Sequence, residues 1–340
     1  MLYRRQFVIG ALATAAFAAK PKAPTIWQAI APAYAAHASA YDPDAFPFKA
    51  GPLVTAIADK AKAATQLETA KKLHSLLKVD ASAGLKACDS GETIRDDRPP
   101  RSPEETIKQR CGDCSELAYV VLTAAKELGL ESGTITLDLG NDVIHLLPFV
   151  KIQGKKYLID LQTKEFGKGA VDTSSGRVAF TYESLGEPGK PKVLWESTFE
   201  QSVGDWHMEW GTYLGQFESN PARLKQAITA FRKAIELNPA DTHSPQKRDH
   251  SSASLVNILM QKAAKAFDKQ DWAGAASLFE DALSYAPSTM SKDHLASLHE
   301  NAAACRYNSG DHEAAAKHYD EAFELTGKKE YKDSAADARK

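Results

Sequence analysis

The sequence predicts two parts of different class: an α+β domain with an antiparallel sheet, then an all-α helical array. Three observations carry this. A helix-period segment opening near Asp113 is followed by short, β-branched segments bounded by glycines, an order that packs a helix on an antiparallel sheet. From about Trp206 the pattern is helical to the end. Within that second part, one arrangement of small and aromatic residues recurs three times. The 340 residues leave room for two domains, and 43% apolar with 25% charged residues lets each part bury a core. A net charge of -2 lacks the basic footprint that phosphate neutralisation requires, which argues against a nucleic-acid partner.

Residues 1–18 read as an export signal. Arg4-Arg5 precede an apolar run from Phe7 to Ala19 that is too short to span a bilayer, and Ala16-Phe17-Ala18 has the small-x-small pattern of a signal-peptidase site. Arg-Arg-x-Phe resembles the twin-arginine signal, and Lys20 and Lys22 after the run fit that route; the alternative is an ordinary secretory signal with paired arginines. The expected location is periplasmic or secreted, with no stable membrane anchor after cleavage. In such an oxidising place a free thiol needs a reason to exist.

The α+β domain is expected over residues 41–200. Ile26 to Ala40, ahead of it, reads as partly helical around Pro32. Leu53 to Leu77 has apolar residues stepping by three or four and reads as helical, and the polar stretch Cys88 to Pro103 reads as a loop. Asp113 and Glu116 form a capping box for a helix with Leu117, Val121, Ala124 and Leu128 on its apolar face and Gly129 at its end. Strands are expected over Thr134–Leu139, Val143–Ile152 and Lys155–Leu161, the last two joined at Gln153-Gly154, with weaker candidates at Val178–Glu183 and Lys192–Trp195.

A border between Glu196 and Trp206 separates this domain from an array over residues 206–340. Ala227, Phe231, Ala234 and Pro239 are matched by Ala275, Phe279, Ala282 and Pro287, and again by Ala315, Tyr319, Ala322 and Gly327. Leu214-Gly215, Ala263 and Ala303 take matching places in the preceding helices. This pattern resembles the tetratricopeptide repeat, although its separations of 48 and 40 residues depart from the regular spacing. The excess of the first falls in Asp241 to Ser252, which reads as a polar loop. The resemblance implies a protein partner held along a concave face.

The chemistry gathers on Cys114, His145 and Asp160. A thiolate is favoured at a helix N-terminus beside a histidine, and the N–H of Cys114 in the first turn is half an oxyanion hole. Counting outward from the Gln153-Gly154 turn, Ile152 faces Lys155, Leu147 faces Asp160 and His145 faces Gln162, so Asp160 is a diagonal neighbour of His145. Gly112-Asp113-Cys114 with Glu116-Leu117-Ala118, His145 opening a strand and Tyr157-Leu158-Ile159-Asp160 closing the next resemble the transglutaminase-like, papain-like cysteine superfamily over about residues 105–165. Here His145-Leu146-Leu147 stands where that superfamily often has His-Ala-Trp. The resemblance implies a nucleophile helix packed on an antiparallel sheet, with Cys114 as nucleophile, His145 as general base and acid and Asp160 as orienter. It implies attack on an amide carbonyl of a peptide or protein substrate to give a thioester, which water or an amine then resolves, as in a hydrolase or an acyltransferase; no cofactor or metal is expected.

Two rival functions remain: a non-catalytic interaction module, and a dithiol oxidoreductase using Cys111-x-x-Cys114, for which the usual strand leading into the motif is missing. Cys111 is otherwise a bystander or a disulfide partner of Cys88. Metal binding by Cys111, Cys114 and His145 lacks a fourth ligand. Gln109 is a candidate second oxyanion donor or a solvated polar residue. Asp142 competes with Asp160 as orienter or is exposed. His243 and His250 read as solvated; His294, His299, His312 and His318 read as surface or packing residues of the array; Trp206 and Trp210 read as packing residues.

Overall fold

The computed structural model describes residues 41, 48–81, 84–87, 99–138, 144–162, 166, 192–217, 220–238 and 245–340. The export signal, the segment 26–40, Cys88, Asp142, the strand expected over 178–183, Pro239 and His243 lie outside the described residues. The described residues form eleven helices and one small antiparallel sheet, with a two-residue parallel bridge beside it. The chain divides into two compact units, one of His37–Tyr213 with Lys233–Pro245, the other including Leu214–Arg232 and Gln246–Lys340.

In the first unit, the helical run expected from Leu53 to Leu77 is two helices, α1 (Pro52–Ala61) and α2 (Gln66–Leu77). Lys62 leaves helical geometry at ψ 132°, and the Thr65 side chain accepts the Glu68 N–H to start the next helix. Strand β1 (Lys86–Ala87) pairs in parallel with β2 (Cys111–Gly112). Between them, where a loop and polar segment were expected, lies α3 (Pro103–Gln109). Ser102 and Glu105 form a reciprocal capping box around it, with Pro103 at the first helical position.

Helix α4 (Cys114–Glu127) is the centre of the unit, with every residue from Ser115 to Ala125 buried. It begins and ends as its sequence dictates: Asp113 caps it, and Gly129 adopts φ +68° just past its end. Four strands follow: β3 (Glu131–Asp138), β4 (Ile144–Ile152), β5 (Lys155–Leu158) and β6 (Lys192–Thr198). They are ordered β5-β4-β3-β6, each pair antiparallel. Val150 and Ile152 join Leu117, Val121 and Ala124 of α4 in one core, while Ile135, Leu137, Leu147, Phe149 and Leu158 form a second. Helix α5 (Phe199–Gly215) supports α4 through Phe48, whose ring lies tilted against Tyr119 and edge-on to Phe199, and through the Tyr119 hydroxyl, which donates to Glu209 Oε1 at 2.9 Å.

The second unit is helix after helix: α6 (Pro221–Leu237, in part), α7 (Pro245–Asp268), α8 (Trp272–Ser284), α9 (Lys292–Asn308), α10 (His312–Thr326) and α11 (Lys329–Ala338). Residues 245–252, expected as loop, are the first turns of α7; Pro245 suits a first helical position, and the small Ser251 and Ser252 are buried. Ala275, Phe279 and Ala282 are buried in α8, as are Ala315 and Ala322 in α10. One turn recurs: Gln270 and Gly310 both take left-handed backbone, and the aspartate after each, Asp271 and Asp311, caps the next helix. Among the described residues no helix is long and apolar enough to cross a membrane.

Candidate functional site

Cys114 is the first residue of α4, and the residues around it fix that start. Asp113 Oδ1 accepts the N–H groups of Ser115 and Glu116, both at 3.0 Å. Glu116 Oε2 accepts the Asp113 N–H at 3.1 Å, and its Oε1 accepts the Arg101 N–H at 3.1 Å. The Glu116 carboxylate, 0% exposed, is thus held by backbone donors and ties the approaching chain to the helix start. Arg101 Nη1 donates to the Cys111 carbonyl at 2.9 Å, bracing the same turn.

His145 sits at the start of β4, paired with Leu137 of β3. The β4–β5 hairpin has the expected register, Ile152 with Lys155 through Phe149 with Leu158. Gln153 at φ +51° and Gly154 at φ +77° make the left-handed two-residue turn such a hairpin needs. The expected pairing of Leu147 with Asp160 and of His145 with Gln162 is not reached. Ile159 N–H donates to Pro148 O at 2.9 Å, but Pro148 has no N–H to return, and the ladder ends. The chain turns there instead: Asp160 Oδ1 accepts the Gln162 N–H at 2.9 Å, and His74 Nε2 of α2 reaches the Asp160 carbonyl at 3.0 Å.

The turn nevertheless leaves Asp160 beside His145. Cys114, His145 and Asp160 line one small cleft, between the first turns of α4, the start of β4 and the segment after β5. Apart from Gln162, its other walls are apolar, among them Leu117, Leu147 and Ile159. Burial pushes the His145 imidazole below its ordinary 6.5, with the Asp160 carboxylate pulling the other way. His145 is therefore a neutral imidazole near pH 7, the form that can accept a proton.

Cys114 is a half-buried thiol outside any disulfide. Cys111 is disulfide-bonded, so it is not a second thiol beside Cys114; its expected partner, Cys88, lies outside the described residues. Cys305 is free but wholly buried, and burial pushes its thiol up to about 12. Gln109, at the end of α3, is exposed and does not line the cleft. Two residues were given no functional role by the sequence reading: His74, which holds the Asp160 carbonyl, and Gln162, which lines the cleft. His74 lies on the buried face of α2 between Leu73 and Leu77, and its spacing alone could have flagged it. Gln162 lines the cleft two residues after Asp160.

Elsewhere, Trp206 and Trp210 pack with Tyr41 and His207. His250 and His312 are exposed and His294 is half-buried. His299 and His318 are half-buried and share a hydrogen bond of 3.0 Å between their Nδ1 atoms. Among the described residues no group of three or more His, Cys, Asp or Glu side chains is arranged to hold a metal ion. No family model, no curated protein and no solved structure matches this chain.

Proposed function

We propose that the chain is an exported cysteine hydrolase of the transglutaminase-like kind, cleaving amide bonds of peptides or proteins, with its helical array holding a protein partner. One observation carries the catalytic part: three residues spread over residues 114–160 line a single cleft, and the thiol among them is outside any disulfide and at the start of a doubly capped helix. Neutral His145 takes the Cys114 proton, and the thiolate adds to the carbonyl carbon while the C=O pair moves to oxygen. The helix-start N–H of Cys114 faces that developing charge. His145 then returns the proton to the amine as the C–N bond breaks, leaving a thioester on Sγ. Water, deprotonated by His145, releases the acid and restores the thiol. Asp160 orients the imidazole and stabilises its charged form. The array's small and aromatic pattern, resembling tetratricopeptide units, supports the partner role; the Arg4-Arg5 segment and the oxidised Cys111 support export. With Cys111 held in a disulfide and Cys114 outside any, nothing favours dithiol exchange between them.

The test is alkylation by iodoacetamide at pH 6–7, followed by peptide mapping. Accessibility alone makes Cys114 the first thiol labelled, so the decisive comparison is with His145→Ala. Loss of the base should slow Cys114 labelling by roughly tenfold or more, and Asp160→Asn should slow it less. Equal rates in wild type and His145→Ala would overturn the triad and leave an interaction module.

A further inference from the structure

The cleft contains one polar group that the triad does not use. The Gln162 side-chain Oε1 accepts the Ala87 N–H at 3.3 Å, which sets the orientation of the amide. Its Nε2, turned away from that bond and shielded from solvent, has no hydrogen-bond partner among the described residues. A buried amide donor left unmade costs about 1–3 kcal/mol, so such groups usually have a partner in the working state. Ala87 is the register partner of Gly112, two residues before Cys114, so the bond that anchors Gln162 ties it to the strand paired with the one feeding the nucleophile. The acceptor that fits a neutral N–H donor in a cleft with apolar walls is a carbonyl oxygen.

The geometry points to Gln162 as a hydrogen-bond donor to the substrate carbonyl oxygen, acting with the Cys114 N–H on the oxyanion. This rests on the cysteine-hydrolase reading and takes the place first considered for Gln109. The expectation is specific to reactions that build an oxyanion. Alkylation by iodoacetamide displaces iodide at saturated carbon and develops no such charge. Acylation by p-nitrophenyl acetate forms the S–C bond, places the C=O pair on oxygen, and then expels p-nitrophenolate to leave an acetyl thioester.

The test measures both reactions at Cys114 of the full chain, in wild type, Gln162→Met and Gln162→Ala, with Cys114→Ser as background and circular dichroism as the check on folding. Losing one oxyanion donor should slow acylation about 10²-fold while alkylation stays within about threefold of wild type. Acylation within about threefold of wild type in a folded variant would overturn the inference and leave the triad standing. Equal slowing of both reactions, or failure of both variants to fold, would make Gln162 a structural residue and overturn it too. A wild-type chain whose Cys114 is neither acylated above background nor alkylated faster than in His145→Ala would remove the hydrolase reading and this inference together.

Discussion

Acid should loosen the first unit through a histidine outside the cleft. His207 of α5 is 1% exposed, its Nδ1 lies 3.0 Å from the Tyr41 hydroxyl, and the ring stands edge-on to Trp206. Burial, helped by the Lys233 cation and opposed by Glu236, pushes its pKa from 6.5 down to about 4. Above pH 6.5 the imidazole is neutral in folded and unfolded chains alike, and stability does not depend on it. Between 6.5 and about 4 the unfolded chain binds a proton that the folded one refuses, so stability falls as pH falls. At about 1.4 kcal/mol per pH unit this amounts to about 2 kcal/mol by pH 5 and about 3 kcal/mol by pH 4. That is a large share of the roughly 5–15 kcal/mol that holds a domain folded.

The assay is urea unfolding followed by tryptophan fluorescence, at pH 7, 6 and 5, for wild type and His207→Phe. The variant loses the Tyr41 hydrogen bond at every pH, a constant cost. The wild type should lose about 2 kcal/mol more than the variant between pH 7 and 5. Parallel pH dependence in the two proteins would refute the buried neutral imidazole. The consequence reaches the site because Glu209, on the same helix, holds the Tyr119 hydroxyl of α4, the helix that begins with Cys114.

Two further outcomes follow from close packing and from the array. Gly133 of β3 leaves no room for a Cβ, which would stand 2.2 Å from the Ser197 carbonyl oxygen of β6 and 2.8 Å from Phe149 Cζ. Gly133→Ala should therefore cost about 2 kcal/mol or more and lower the Tm by roughly 5 °C in calorimetry, and an unchanged Tm would contradict the β3–β6 register. In the array, His318 stands between His299 and Glu280, and Arg306 grips Glu280 with two bonds of 2.7 Å. Burial, then the His318 charge, push His299 below 6.5 against the pull of Glu321, so the array should lose stability as pH drops below 6.5. His299→Gln should flatten that loss in pH-dependent thermal melts.

The parts of the site encoded within a few residues were legible, and those made at long range were not. Asp113 and Glu116 dictate where α4 starts because both halves of the capping box lie within four residues. Gln153-Gly154 dictates the hairpin because only left-handed backbone turns the strands back in two residues. Ser102-Pro103 with Glu105 was equally local, and α3 was missed because a proline in a polar stretch was read as a loop signal rather than as a first helical position. The turn at Asp160 has a local cause, the missing N–H of Pro148, but what secures it is remote: His74 lies 86 residues away and Ala87 meets Gln162 across 75. No period or spacing encodes such pairs.

Gln109 shows the same limit from the other side. It stands five residues before Cys114, but Arg110 takes left-handed backbone at φ 58°, and the chain changes direction between the two. Nearness in sequence across such a turn says little about which side chain faces the thiol. The cleft is closed by the segment that follows the returning strand of the hairpin, bringing Asp160 and Gln162 to the helix start. Distance along the chain is therefore the wrong measure for the second oxyanion donor. The usable measure is which side-chain donor in the cleft lacks a partner among the described residues, and that points to Gln162 Nε2.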